Sequence, residues 1–378
     1  MKRKIRVGSL FAGVGGICLG FLNAQNSESE YILSWANEID EYACETYRTN
    51  FSHNLLEGDV NSVLHPEKSD DYERYSKLHE KILSEPIDVL NGGFPCQAFS
   101  IAGDQRGFED ERGNLFMSFI DLINQLYDKF EKKPRILFLE NVKNLKSHDK
   151  GRTYEVIKAE LENCGYIIKE AVLNTMLYSD LPQNRERIYI IGFLNQEDAD
   201  KFLMFDNLSN YQIRKTSEER EEDIKRIIDY SEDEKSYFYT RDRYPHYFVT
   251  EEEYVTSSEK KDIRINLTES ITEMYQFYQL RRGQYVRKNQ SDVCPTLTAN
   301  MGTGGHNVPL ILTPQGIRKL TPAETFKLQG FPVGQGYTLP TKINGKNYGN
   351  SNLYKQAGNA VSVPVIKLIA EEILNIIK

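Results

Sequence analysis

One cysteine stands where it could act as a nucleophile. Cys96 follows Gly93, Phe94 and Pro95, directly after a strand predicted over residues 87–90. In open α/β sheets, ligands bind at the edge where the carboxyl ends of the strands lie. A cysteine packed in an apolar strand is inert, but glycine and proline beside Cys96 leave room for a substrate. The pattern favours a reactive thiol, with a packed core cysteine as the alternative.

Charged side chains at two other strand ends could assist that thiol. Glu140 ends a strand predicted over residues 136–139, and partial desolvation there is expected to raise the pKa of its carboxyl group and suit it to share a proton. Arg185 and Arg187 are two residues apart, just before and at the start of the strand predicted over residues 188–193. Their side chains are therefore predicted to share one side and to suit a carbonyl oxygen, phosphate or carboxylate. Taken singly, an ion-paired glutamate and an exposed sheet edge remain alternatives.

A glycine-rich turn near the amino terminus is typical of a nucleoside site. The string FAGVGG at residues 11–16 joins a predicted strand to a helix, so a ligand can approach the backbone and the helix N-terminus. It departs from GxGxxG because its third glycine follows the second immediately. Glu38, 25 residues after Gly13, is placed to accept from ribose hydroxyls, and Asp59 from an adenine amino group. A tight turn without a ligand is the alternative.

The composition excludes several kinds of protein. The 378 residues carry a formal net charge of −8, whereas a protein that coats nucleic acid non-specifically is normally basic. Any contact with nucleic acid must therefore come from a locally basic face. The five cysteines are scattered without a CxxC pair, which argues against a disulfide scaffold and a cysteine–zinc site. No apolar run approaches a membrane span and no export signal is evident, so we expect a cytoplasmic protein.

The hydrophobic pattern changes character along the chain. Short β-rich runs alternate with amphipathic helical stretches through the first half, which predicts an α/β fold with a parallel sheet flanked by helices. Beyond about residue 195 an acidic segment precedes aromatic and arginine-rich strings. We predict a catalytic and cofactor-binding domain at residues 1–195, a smaller, irregular β-rich domain at 196–349, and a closing segment at 350–378 that returns to the first domain.

Six strings together are more specific than any one of them. They are FAGVGG (11–16), GFPCQAFS (93–100), ENV (140–142), QNRER (183–187), RKLTPAE through QGFP (318–332) and QAGNAV (356–361). In this order the chain resembles the bacterial DNA (cytosine-5)-methyltransferases of the restriction–modification type. The resemblance covers the first 195 and roughly the last 60 residues. It implies a Rossmann-like, S-adenosylmethionine-dependent methyltransferase domain followed by a target-recognition domain.

The resemblance implies S-adenosyl-L-methionine as cofactor, S-adenosyl-L-homocysteine as product, and no metal. In the family the glycine loop holds the cofactor, the carboxylate matching Glu38 contacts its ribose, and that matching Asp59 contacts its adenine. Ile39 stands where relatives often have a larger aromatic residue, so we expect weaker packing against adenine. The positions that match cofactor contacts are Phe11, Gly13, Gly15, Gly16, Glu38, Ile39, Asp59, Val60, Pro95, Leu115, Asn359 and Val361.

The resemblance also implies catalytic roles. Cys96 matches the nucleophile, Glu140 the partner of the cytosine N3 edge, and Arg187 the contact to O2, while Arg185 joins this set as the residue that orders the loop. Addition of a thiolate to C6 turns C5 into an enamine-like carbon that takes the methyl group. Because stacking blocks attack from above the ring, the cytosine must be flipped out of the duplex. We expect residues 100–114 to close over the flipped base as a lid.

The divergent segment at 196–349 is expected to choose the DNA sequence. Its strings at residues 281–284 and 296–305 resemble the family's recognition loops. Either Arg282 or Gln284 is the candidate to fill the gap left by the flipped base, with arginine and lysine contacting phosphates and guanine. A basic solvated surface is the alternative for each residue. The predicted DNA-binding residues are Ser100, Arg106, Arg282, Gln284, Thr298 and Asn300.

Three other functions remain open. A tRNA cytosine-5 methyltransferase shares the catalytic motifs, although the long divergent segment favours duplex DNA. A nucleotide-dependent oxidoreductase explains only the glycine turn and Glu38. An inactive DNA-binding relative conflicts with the joint presence of Cys96, Glu140 and Arg187. We therefore predict a monomeric, cytoplasmic bacterial enzyme that acts on double-stranded DNA, away from membranes, and protects host DNA with a cognate restriction endonuclease as its functional partner.

Overall fold

The computed structural model describes residues 2–94, 114–256, 264–303 and 307–377. The chain divides into two compact units. Unit 1 comprises Met1–Asn174, Glu186–Gln212 and Val361–Lys378, and unit 2 comprises Thr175–Arg185 and Ile213–Ala360. Among the helices of the described ranges, none has the length and apolar character needed to cross a bilayer.

The strands and helices follow one another as expected for an α/β protein with an added β-containing unit. The strands are β1 (Arg3–Leu10), β2 (Ser29–Glu38), β3 (Asn54–Glu57), β4 (Val89–Gly92), β5 (Ile136–Val142), β6 (Ile167–Asn174), β7 (Gln183–Asn184), β8 (Glu186–Phe193), β9 (Tyr278–Arg281), β10 (Tyr285–Lys288), β11 (Cys294–Pro295), β12 (Leu310–Thr313), β13 (Gly316–Lys319), β14 (Lys342–Ile343) and β15 (Lys346–Asn347). The helices are α1 (Gly16–Asn23), α2 (Glu41–Asn50), α3 (Val60–Leu64), α4 (Tyr72–Ile82), α5 (Asn114–Phe130), α6 (Arg152–Asn163), α7 (Thr175–Tyr178), α8 (Gln196–Lys201), α9 (Ser217–Ile227), α10 (Glu251–Thr256), α11 (Leu267–Ser270), α12 (Pro322–Lys327), α13 (Asn350–Asn359) and α14 (Val363–Ile376).

Within the described part of unit 1, seven strands form one sheet in the order β3-β2-β1-β4-β5-β8-β6. The pairs from β3 to β5 are parallel, whereas β8 runs antiparallel to both β5 and β6. Parallel neighbours need a crossover of a dozen or more residues, and only residues 175–185 separate β6 from β8. The α/β class is confirmed, and the predicted parallel sheet is corrected to a mixed one.

The core of unit 1 follows from its apolar patterning. The first four residues of β5, Ile-Leu-Phe-Leu, are all fully buried, as expected for a strand covered by helices on both faces. Helix α5 buries Phe116, Phe119, Ile123 and Leu126 as its spacing predicts, although Tyr127 of the same stripe is half exposed. Full burial of such a side chain contributes about 1.5–3 kcal/mol to the free energy of unfolding. These elements therefore stabilise the part of the sheet from which the carboxyl end of β5 emerges.

Unit 2 contains a four-stranded antiparallel sheet in the order β10-β9-β12-β13. Its boundaries, after residues 212 and 360, differ from the predicted domain boundaries after 195 and 349. Residues 175–185 also belong here, because β7 pairs with β11 and the Gln183 side chain donates to Leu328 O at 2.7 Å. Helix α13 stays in unit 2, while α14 belongs to unit 1, where Tyr31 donates its hydroxyl to Ala370 O at 2.9 Å.

Candidate active site

The turn after β1 is held by a buried carboxylate. Glu38 Oε2 accepts from the Gly13 N–H at 2.7 Å, and Oε1 accepts from the N–H groups of Ile39 and Asp40, both at 2.8 Å. Burial raises the pKa of the Glu38 carboxyl, an effect that the three N–H donors oppose. The shape of the glycine loop therefore depends on this side chain at the end of β2.

Glycine is required within the same turn. Gly15 has φ +83°, a region that L-residues rarely adopt, and a Cβ built on it would lie 2.2 Å from the ring of Phe51. As the N-cap of α1 it supplies no capping side chain. The turn consequently offers backbone and the positive end of a helix to a ligand, which is the arrangement that suits nucleotides.

Three further predicted cofactor positions lie at neighbouring strand ends. Asp59, just beyond β3, accepts from the Asn61 N–H at 3.1 Å and so caps α3, whose first residue, Val60, is buried. Ile39, just beyond β2, is 66% exposed. Because β2 and β3 are parallel neighbours, their carboxyl ends meet at one edge of the sheet. The carboxylates of Glu38 and Asp59, with the exposed aliphatic side chain of Ile39 beside them, fit the ribose and base of a nucleoside.

A buried ion pair lies at the ends of β5 and β8. Arg187 Nε is 3.2 Å from Glu140 Oε1, and the two side chains are 12% and 9% exposed. The antiparallel register sets Arg187 opposite Val142, next to the strand end that carries Glu140. The guanidinium also donates to Glu186 O at 2.8 Å. The pair is thus fixed in position, and its desolvation strengthens any electrostatic effect on a base placed there.

The described chain approaches this pair from β4 as well. Asn141 Nδ2 donates to Phe94 O at 2.9 Å, and a Cβ built on Gly93 would lie 3.6 Å from Glu140 Oε2. Cys96 follows Phe94 by two residues and lies outside the described residues, as do Pro95, Ser100 and Arg106. Sequence reasoning gave Asn141 no role, although its amide next to Glu140 at a strand end was a usable signal.

Arg185 and Arg187 have different partners, although the sequence predicts that their side chains share one side. Arg185 is 2% exposed and donates to Leu297 O at 2.8 Å, to Gly358 O at 3.3 Å and to Ala360 O. It lies between β7 and β8 rather than within a strand, so strand alternation does not govern its direction. The side chain ties together backbone segments of unit 2. These contacts support the expected role of Arg185 in ordering the loop and involve no group of the Glu140–Arg187 pair.

The cysteines of the described ranges are all buried: Cys18, Cys44, Cys164 and Cys294. Burial raises the pKa of each of these thiols. Cys18 and Cys164 both lie in the core of unit 1. Since the thiolate is the nucleophilic form, these four side chains are poor nucleophiles at neutral pH.

The predicted recognition residues lie on exposed segments of unit 2. Arg282 and Gln284 belong to the turn between β9 and β10, where Gln284 N–H donates to Arg281 O at 2.9 Å. Thr298 and Asn300 are exposed and joined by a 2.5 Å hydrogen bond. All four side chains can meet a large ligand on this unit.

The remaining cofactor positions differ in burial. In unit 1, Phe11 and Leu115 pack half-buried against the core and Val361 is buried. Gly16 is buried at the start of α1. Asn359 is exposed at the end of α13 in unit 2.

Comparison with known proteins agrees with this geometry. The chain is 43% identical over 371 residues to the Type II methyltransferase M.Bsp6I of Bacillus sp. (strain RFL6), covering 98% of both chains. It is 32% identical to M.HhaI of Haemophilus parahaemolyticus, covering 98% of this chain and 94% of that one. The structure of S. pombe Dnmt2 methyltransferase shares the fold, with a TM-score of 0.61, 17% identity and full coverage of both chains.

The family profile matches almost the whole chain. The profile described as C-5 cytosine-specific DNA methylase covers residues 5–375, which include most of β1 and all but the last residue of α14. The chain belongs to the C-5 cytosine-specific DNA methylases and is a DNA (cytosine-5-)-methyltransferase.

Proposed function

We propose that this enzyme methylates C5 of a flipped-out cytosine through a covalent bond between Cys96 and C6, and that it protects host DNA in a restriction–modification system. The observation that carries the proposal is the buried Glu140–Arg187 pair, to whose strand end the base of the Cys96 loop is tied through Asn141 and Phe94. The family description names DNA, and we take duplex DNA as the substrate because the long divergent segment at 196–349 can read a base sequence in the grooves of a duplex.

The residues divide the chemistry between them. Cys96 as the thiolate adds to C6, forming the S–C6 bond while the electron pair of the C5–C6 double bond moves toward C5. Glu140 holds the proton at N3 and Arg187 donates to O2, so the charge that develops on the ring is stabilised. After C5 has gained the methyl group, loss of its proton restores the double bond and expels the thiolate.

The site fits S-adenosyl-L-methionine as the methyl donor. Glu38 would hold the ribose from the edge of the glycine loop, Asp59 the adenine amino group, and Ile39 one face of the base. The exposed aliphatic surface of Ile39 supports this assignment, because a stacked base would cover it. When bound, the cofactor supplies an electrophilic methyl group on a sulfonium centre.

Mapping and trapping together test the proposal. Plasmid DNA from cells that express the protein is sequenced after bisulfite treatment, which identifies the methylated cytosine. A duplex with 5-fluorocytosine at that position is then incubated with the enzyme and S-adenosylmethionine. We expect a covalent complex stable to denaturation, because fluorine at C5 blocks the step that releases the thiolate.

Two cysteine variants complete the experiment. Cys96→Ser should lose the covalent complex and methyl transfer while cofactor binding stays within a few-fold of the wild type. Cys164→Ser, at a buried position in the same unit, should keep both. Trapping by Cys96→Ser, or transfer to RNA in preference to duplex DNA, would refute the proposal.

A further inference from the structure

One long stretch of this acidic chain almost lacks acidic side chains. Residues 293–370 contain a single carboxylate, Glu324, and seven lysine and arginine residues, although the whole chain has a net charge of −8. Glu324 is 2% exposed and pairs at 2.7 Å with Arg318, which is fully buried. These two charges cancel inside the core, so the surface of the stretch is basic through its lysines.

Two of the lysines lie on a short, well-defined hairpin. Strands β14 and β15 pair Lys342 with Asn347 and Ile343 with Lys346. The turn residues Asn344 and Gly345 have φ +48° and +76°, as expected for the tight turn that an Asn-Gly pair favours. Both lysines are exposed, on opposite faces of the hairpin.

The hairpin is anchored rather than loosely attached. Ile343 and Tyr348 are each 7% exposed, and Tyr348 N–H donates to Thr341 O at 2.8 Å. The Tyr348 hydroxyl also accepts from Gln356 Nε2 of α13. The two ammonium groups therefore start from a backbone position that the fold fixes, which reduces the entropy lost when they meet a ligand.

Several other basic residues of unit 2 are paired with carboxylates, unlike these two lysines. Arg241 pairs with Glu253, Arg264 with Glu269 at 2.6 Å, and Lys288 with Glu273 at 2.7 Å. Among the described residues no carboxylate pairs with Lys342 or Lys346. Their charge is available to an external anion.

Helix α13, which follows the hairpin directly, packs against a predicted recognition segment. A Cβ on Gly302 would lie 2.5 Å from Ser351 O, and one on Gly358 would lie 2.1 Å from the backbone of Thr298. The segment that carries the exposed residues Thr298 and Asn300 therefore packs against α13, the helix that follows the hairpin in the chain. An elongated polyanion that meets this segment can also meet the hairpin.

We propose that the β14–β15 hairpin is a DNA-backbone clamp, in which Lys342 and Lys346 each neutralise one phosphate of the duplex outside the bases that are read. The ligand chemistry is the phosphodiester, since an ammonium on a flexible stem is a compact point charge that suits phosphate oxygens. The inference rests on the proposed action on duplex DNA. The clamp would add affinity that does not depend on the DNA sequence, in an enzyme whose overall negative charge opposes DNA binding.

The test is the salt dependence of DNA binding by the full chain. Each neutralised phosphate contributes about 0.9 to the slope of log K against log salt, so Lys342→Gln with Lys346→Gln should lower the slope by about 1.8. Between 50 and 200 mM salt the wild type should then lose about 12-fold more affinity than the double variant. The preference for the target duplex over one with a changed target should stay the same.

A matched control separates local contact from net charge. Lys68→Gln with Lys81→Gln removes the same charge from exposed positions of unit 1 and should leave the slope at the wild-type value. Equal slopes for wild type and hairpin variant, or equal losses in both variants, overturn the clamp. A wild type that neither binds nor methylates duplex DNA defeats the proposed function instead. Transfer by the hairpin variant at saturating DNA should match the wild type, which shows that it is folded.

Discussion

Replacing Arg185 by methionine distinguishes a positioning role from a catalytic one. Methionine keeps much of the apolar stem but removes the guanidinium that donates to the carbonyl oxygens of Leu297, Gly358 and Ala360. Each buried acceptor that loses its donor costs about 1–3 kcal/mol. Taking the lower end for all three, the free energy of unfolding should fall by about 3 kcal/mol.

That loss is large enough to measure by thermal denaturation. For a unit of about 160 residues, 1 kcal/mol corresponds to roughly 2–4 °C, so the first melting transition of Arg185→Met should fall by about 6–12 °C. Arg185→Lys is the matched variant, because it retains the charge and can reach one or two of the carbonyls. Its transition should lie between those of wild type and methionine variant.

Methyl transfer measured at a temperature where the variant is still folded gives the second readout. A positioning residue in unit 2 should leave the turnover number within about tenfold of the wild type, whereas loss of general acid–base catalysis typically costs 10²–10⁴-fold. An unchanged melting transition with a turnover number more than 100-fold lower would show that Arg185 touches the substrate.

Three other predictions test the site from different sides. Glu140→Gln preserves the shape of the side chain but removes the carboxyl group that holds the proton at N3. The initial rate of methyl transfer should fall by about 10²-fold or more, while the measured DNA affinity should stay within a few-fold of the wild type. Gly15→Ala should lower the melting temperature without cofactor more than Gly13→Ala does, since both have positive φ but only the first Cβ meets a ring, that of Phe51; equal losses would contradict this steric account. Burial lowers the pKa of His53 to about 4, below its usual 6.5, so the unfolded chain binds the proton more readily between these values. The stability that neutral His53 contributes is therefore complete above about pH 6.5 and is lost as the pH falls toward 4. In urea titrations at pH 5 and 7.5, the free energy of unfolding of His53→Gln should differ less between the two pH values than that of the wild type. An unchanged difference would refute the assignment.

Much of the fold was predictable because hydrophobic periodicity is a local property. The strand predicted at residues 188–193 is observed within β8, and the strand predicted over residues 136–139 within β5. The direction of β8 was not predictable from its own residues, since it depends on the eleven residues that connect it to β6. The interruption of unit 1 by residues 175–185 was equally hidden, because it depends on where Gln183 and Arg185 find partners far along the chain.

For the candidate site, the division between sequence and structure has a physical cause. The types and order of Cys96, Glu140 and Arg187, and the family that they indicate, are properties of the linear chain, because thiol, carboxyl and guanidinium chemistry belongs to the side chains themselves. Only the tertiary structure pairs Glu140 with Arg187 and directs Arg185 to carbonyl oxygens of unit 2. Partners are selected by strand register and by the burial of polar groups that must find hydrogen bonds. The register of β5 and β8 pairs residues about 50 positions apart, and the acceptors of Arg185 lie more than a hundred positions away.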